Sequence, residues 1–123
     1  MAIGKKILIV DDNEVDLLIV KRYLTHAGYT EIITACNAEE GIKRAAEEKP
    51  DLIILDTLLP TSNGFEICST LREKYKFLTS KIIIQTGSID AVDAVKARKS
   101  GADDYCAKSS NCAPLLEAVK KLI

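Results

Sequence analysis

The 123 residues carry 17 Lys and Arg against 18 Asp and Glu, a formal net charge of −1, with 47% hydrophobic and 28% charged side chains. This is ordinary globular usage, and it excludes a disordered chain and one drawn to nucleic acid or anionic lipid by bulk charge. The length fits one domain over residues 1–123 that buries its own core without metal or disulfide support.

The first element is Lys6–Val10 (KILIV), a short apolar run that reads as a strand. Val15, Leu18, Ile19 and Arg22 follow at i, i+3, i+4 and i+7, which predicts a helix with that stripe toward the core, closed by Gly28 in a left-handed turn. Glu31–Ala35 (EIITA) reads as the second strand. Asn37 caps a helix whose face is Ala38, Ile42, Ala45 and Ala46. Leu52–Asp56 (LIILD) is the third strand, followed after Gly64 by a helix with Phe65, Cys68 and Leu71 inward. Lys81–Thr86 (KIIIQT) is the fourth, then a helix marked by Val92, Val95 and Lys99 and stopped by Gly101. A weaker strand at Tyr105–Ala107 leads to a last helix with Leu115, Leu116, Val119 and Leu122, Asn111 near its start and Pro114 in its first turn.

Five strands and five helices in strict alternation predict an α/β fold, a single doubly wound domain of three layers with a parallel sheet between helices. Three of the strand runs are apolar at nearly every position, as strands covered on both faces require. The cysteines, at 36, 68, 106 and 112, form no CxxC pair, and the one histidine, His26, is remote from them. They are expected as reduced, mostly buried small hydrophobes in a cytoplasmic protein. Met1–Lys6 has no signal-peptide pattern, and no apolar stretch is long enough to span a membrane.

In such a sheet, ligands bind beyond the carboxyl ends of the strands. The first strand ends in Asp11-Asp12-Asn13, where two carboxylates would repel a phosphate and disfavour a nucleotide or flavin site. Asp12 or Asn13 can also serve simply to cap the next helix. Asp56 ends the third strand, and three carboxylates at one edge are unfavourable unless a cation shares them. An all-oxygen set of this kind suits Mg²⁺. Thr86 ends the fourth strand and Lys108 follows the fifth. A carboxylate beside Mg²⁺, with an ammonium and a hydroxyl for anionic oxygens, is an arrangement that accepts a phosphoryl group. In it Asp56 attacks phosphorus, Lys108 and the metal neutralise charge, and Thr86 donates to a phosphoryl oxygen.

The acidic pair, the D-x-x-L-P-x-x-x-G segment from Asp56 to Gly64, Thr86, and Gly101-Ala102-Asp103-Asp104-Tyr105 leading to Lys108 resemble the receiver domains of two-component response regulators, in particular the chemotaxis type. The resemblance covers essentially the whole chain. It implies a flavodoxin-like sheet in the order 2-1-3-4-5. It also implies that Asp56 receives phosphate from a sensor histidine kinase or histidine phosphotransfer protein. Asp12 and Asp56 then resemble Mg²⁺ ligands, Asp11 one acting through water, and Leu58 one acting through its backbone carbonyl. Thr86 and Tyr105 resemble the switch pair that alters the surface of the fourth helix, fifth strand and fifth helix. The output is a change in conformation, so the domain is expected to be no enzyme in its own right, and to bind neither nucleic acid nor membrane itself.

One departure is that Ser109 stands where the family usually has proline in a cis bond, so a trans Lys108–Ser109 bond is expected. Leu58 cannot orient a water by hydrogen bonding, which predicts slow self-dephosphorylation. Two other classes compete. A haloacid-dehalogenase-like phosphatase would need D-x-D where the chain reads Asp11-Asp12-Asn13, and there is no room for a cap domain. A receiver-like interaction module that takes no phosphate is raised by the missing proline and opposed by the retained acids and Lys108.

Overall fold

All five apolar runs become parallel strands in a computed structural model of the chain, which describes residues 4–76, 78–87 and 91–123, the side chains of 91 and 92 excepted. β1 (Lys6–Val10), β2 (Glu31–Ala35), β3 (Leu52–Asp56), β4 (Lys81–Thr86) and β5 (Asp104–Ala107) form one sheet in the order β2-β1-β3-β4-β5. The helices between them are α1 (Glu14–His26), α2 (Ala38–Glu48), α3 (Gly64–Lys74), α4 (Ala91–Ser100) and α5 (Ala113–Leu122).

The apolar runs are continuous because successive residues serve two cores. Ile7, Ile9, Leu52, Ile54 and Ile83 join Val20 and Leu24 of α1 and Leu115, Ala118 and Val119 of α5. Leu8, Val10, Ile53, Leu55, Ile82 and Ile84 join Ala45 of α2, Ile67, Cys68 and Leu71 of α3, and Ala97 of α4. With a side-chain period of two, neither parity can be polar when both faces are covered. Burying each of these large side chains is worth about 1.5–3 kcal/mol, so the central strands carry most of the stability.

The caps behave as the residue types dictate. Asn13, Asn37 and Asn63 each accept a hydrogen bond from the backbone N–H three residues on, at 3.0, 2.8 and 2.9 Å. Gly28 and Gly101 take φ of +104° and +99°, the left-handed turn that ends a helix cheaply only with glycine. Cys68, Cys106 and Cys112 are buried free thiols, whereas Cys36 is exposed.

Two helices turn a different face to the core from the one expected. In α1 the inward residues are Leu17, Val20, Tyr23 and Leu24. Val15 and Leu18 stand 64% and 67% exposed, with Ile19 and Arg22 also outside. Apolar residues occupy five of positions 15–20, so the spacing alone admits two phases, and Val20 with Leu24 selects the other. In α4 Ala97 and Ser100 are buried while Val95 and Lys99 are exposed; the small residues face inward because the helix lies close to β5. Val92, also expected inward, lies outside the described side chains. β5 begins at Asp104, one residue earlier than expected, where the Asp104 carboxylate accepts from the Tyr105 N–H at 2.8 Å.

Candidate functional site

The register brings the strand ends together. Val10 pairs with Leu55, which sets Asp11 beside Asp56, and Thr86 pairs with Ala107, which sets Lys108 beside the end of β4. The turn is tied down by backbone bonds: Asp11 N–H to Ala35 O at 3.0 Å, Thr57 N–H to Gln85 O at 3.0 Å, and Lys108 N–H to Thr86 O at 2.7 Å. Gly64 is dictated by a close approach, since a Cβ there would lie 2.6 Å from the Asp56 carbonyl oxygen. The spacing from Asp56 to Gly64 is thus the length of loop that returns α3 onto the residue it left.

Asp11, Asp12 and Asp56 converge so that one carboxylate oxygen from each lies within 4.8 Å of the others. Asp11 is buried, and its Oδ1 accepts from the Asn13 N–H at 3.0 Å; Asp12 is exposed; Asp56 is 9% exposed. The ammonium of Lys108 reaches into this group, with Nζ 2.9 Å from Asp11 Oδ2 and 3.3 Å from Asp56 Oδ2. A third carboxylate, Asp16 in the first turn of α1, lies nearer still at 2.8 Å. The sequence reading missed Asp16 because it searched strand ends, whereas this residue comes from the helix that follows. Its signal was a further acid four residues after Asp12, which the capped first turn carries back over the sheet edge.

The electrostatics follow from this crowding. Burial pushes the Asp56 carboxyl up to about 6, and the charge of Asp11 pushes the same way. The charge and hydrogen bond of Lys108 and the backbone hydrogen bond of Leu58 oppose the rise without cancelling it. For Lys108, burial favours the neutral form. The hydrogen bonds to Asp16 and Asp11 and the charges of Asp56 and Asp11 outweigh it, and hold the ammonium above the ordinary lysine range.

Asp56, Thr86, Lys108 and Asp16 line one open cavity of about 710 Å³, with Asp93 and Lys96 of α4 on its far wall. Thr86 is buried, and its Oγ1 accepts from Thr57 Oγ1 at 3.5 Å. Leu58 borders the same cavity at 77% exposure. Tyr105 stands apart: it pairs with Ile84, two rungs below the Thr86–Ala107 pair, and its ring packs against the core beneath α4. Its hydroxyl is buried without a hydrogen-bond partner among the described residues. Among the described residues no peptide bond is cis, so Lys108–Ser109 is trans as the serine requires.

The chain matches the response regulator receiver domain family over residues 7–120. It is 42% identical over 105 residues to the alkaline phosphatase synthesis transcriptional regulatory protein PhoP of Bacillus subtilis, covering 85% of this chain and 42% of that one. It is 35% identical over 118 residues to the response regulator ArlR of Staphylococcus aureus, covering 96% and 52%. The chain therefore spans about half the length of these relatives. Among solved structures, the response regulator protein TrrA of Thermotoga maritima in complex with Mg²⁺ and beryllofluoride superposes with a TM-score of 0.85 at 38% identity, covering 97% and 99%. The chemotaxis protein CheY4 of Vibrio cholerae gives 0.87 at 27% identity, covering 97% and 98%.

Proposed function

The chain belongs to the response regulator receiver domain family, the phosphoacceptor switch of two-component systems, and from that premise we propose that Asp56 takes the phosphoryl group. The observation that carries this reading is Lys108 Nζ 3.3 Å from Asp56 Oδ2, at the edge where three carboxylates converge and Asp56 and Lys108 line an open cavity. The donor is a phosphohistidine of a sensor kinase or phosphotransfer protein. The bond from histidine nitrogen to phosphorus breaks as one from an Asp56 oxygen forms, and the histidine leaves with the electron pair. With its carboxyl near 6, Asp56 is mostly ionised at neutral pH and ready to attack.

The site fits Mg²⁺. Its donors are all oxygen, Asp12 is open to water, and three carboxylates meet there against the one ammonium paired with them among the described residues. Asp12, Asp56 and the Leu58 backbone carbonyl would hold the ion, with Asp11 acting through water. When bound, it supplies positive charge to the oxygens of the transferring group. Lys108 donates to one of those oxygens and Thr86 to another.

A phosphoryl group held by Thr86 draws that side chain toward Asp56 and opens space toward β5. The unpartnered Tyr105 hydroxyl costs about 1–3 kcal/mol where it lies, so its orientation is finely balanced and can follow Thr86. The output is a changed surface of α4, β5 and α5, read by a partner or an attached output domain, rather than turnover. The exposed Val15, Leu18 and Ile19 of α1, and Leu58 at the cavity, offer the donor apolar surface to rest on. The domain acts in the cytoplasm, as one receiver over residues 1–123.

Incubation with Mg²⁺ and acetyl phosphate, followed by intact mass, tests the reading. One phosphoryl adduct is expected in the native chain and none in Asp56→Asn. An adduct that survives in Asp56→Asn, or sustained hydrolysis without an adduct, overturns it.

A further inference from the structure

Lys108 has three ammonium protons and three carboxylates around them, and the three distances are unequal. Asp16 lies at 2.8 Å, Asp11 at 2.9 Å and Asp56 at 3.3 Å. The ammonium is therefore drawn toward β1 and α1 and stands farthest from the residue that takes the phosphoryl group. Asp16 is also firmly presented. Its backbone N–H donates to the Asn13 cap at 3.0 Å, so the first turn of α1 fixes where its carboxylate can go.

We propose that Asp16 is a positioning residue that restrains Lys108, competing with the phosphoryl group for its ammonium; the inference rests on Asp56 being the phosphoacceptor. A phosphoryl oxygen on Asp56 projects farther into the cavity than the carboxylate does. To donate to it, the ammonium must move out toward the cavity, which stretches one of its two shorter contacts. Asp11 is buried, and losing the ammonium would leave its charge with only the Asn13 N–H to answer it. Asp16 is 36% exposed in its side chain, so water replaces the ammonium there at little cost. Asp16 is thus the contact that exchanges. Each phosphorylation event has to displace it, and that competition sets how tightly the activated state is latched.

The test is beryllofluoride affinity at saturating Mg²⁺, measured by NMR titration on the native chain, Asp16→Asn, Asp16→Glu and Asp93→Asn. Asp16→Asn keeps the backbone N–H that meets the Asn13 cap and removes only the charge. It should tighten beryllofluoride about fivefold, the scale of a half-exposed ion pair. Asp16→Glu, which keeps the charge, should stay near the native value. Asp93 lines the same cavity without an ion pair to Lys108 among those described, so Asp93→Asn removes one negative charge but no restraint, and should gain about twofold or less. An Asp16→Asn affinity equal to or weaker than the native one overturns the proposal, as does an equal gain in Asp93→Asn. A native chain that binds Mg²⁺ but not beryllofluoride overturns the phosphoacceptor reading itself, and the restraint with it.

Discussion

The two ends of the sheet use the same kinds of charged residue to opposite purpose. At the amino end, Asp51 accepts from the Lys6 N–H at 2.8 Å, its own N–H donates to Lys6 O at 2.8 Å, and its carbonyl accepts from the Lys81 N–H at 2.9 Å. Arg72 does the same for the neighbouring strands, donating to Ser80 O at 2.9 Å, Gly101 O at 3.0 Å and Asp103 Oδ2 at 2.9 Å. Asp103 in turn accepts from the Ile82 N–H at 2.8 Å. These charges close on backbone groups that cannot leave, so the network is stable and inert. At the carboxyl end Asp11, Asp16 and Asp56 crowd Lys108 with Asp12 close by, and burial together with the charge of Asp11 raises the Asp56 carboxyl. One end is satisfied and holds the fold; the other is unsatisfied and can therefore respond to a cation and a phosphoryl group.

The sharpest way to break this comparison is Asp56→Asn. Phosphoryl adduct is lost altogether, yet the metal-free fold should gain on the order of 1–2 kcal/mol at pH 7.5. The sign follows from protons: the folded carboxyl titrates near 6 against 3.8 for an ordinary aspartate. Between those values the folded state holds the extra proton, so the native chain loses stability as pH rises toward 6 and the loss is complete above it. The gain of the variant should then be full at pH 7.5 and absent near pH 4. Urea unfolding in EDTA at the two values checks this, and equal gains at both would show that Asp56 is not strained by its charge.

Arg72→Ala should do the reverse. Three hydrogen bonds go, and the carbonyls of Ser80 and Gly101 lose their donor, at a cost of about 2–3 kcal/mol. Adduct formation with acetyl phosphate should stay within about twofold of native, because nothing in the network reaches the acidic cavity. A large loss of phosphorylation in a variant still folded at the assay temperature would mean that the two ends are coupled through α3.

Leu58→Asn probes the functional end alone. An amide two residues after Asp56, the acceptor we propose, can hold an attacking water where leucine cannot, and should shorten the lifetime of the adduct about tenfold, the worth of one good hydrogen bond in the transition state. An unchanged lifetime would place control of water elsewhere in the cavity.

How much of this was legible in the sequence also differs between regions. The strands were, because two-sided burial leaves Ile7–Val10, Leu52–Leu55 and Ile82–Ile84 without a polar position. The cores they join were not fully so. Around α1 apolar residues occupy nearly every side, and which side faces inward is decided by the sheet rather than by spacing. Asp11, Asp12, Asp56, Thr86 and Lys108 were found because strand ends of a parallel sheet meet at one edge. Asp16 was not, since a carboxylate in the first turn of a helix ordinarily reads as a favourable charge at the helix start. Only the direction of the Lys108 ammonium reveals its second role.

The smallest predicted effect decides how far the unsatisfied region extends. Tyr105 lies two rungs below Thr86, outside the acidic cavity, and its ring is partly buried against the core. Its hydroxyl is out of place, buried with no partner among the described residues. If that hydroxyl belongs with the strained end of the sheet, removing it should relieve the resting protein rather than weaken it. Tyr105→Phe is then expected to raise stability by about 1 kcal/mol, the desolvation cost of one unmet hydroxyl. Denaturant midpoints at constant slope measure it. A loss of similar size would instead mean that the hydroxyl is satisfied in solution, and Tyr105 would belong with Arg72 and Asp51, among the residues that hold the fold and wait for nothing.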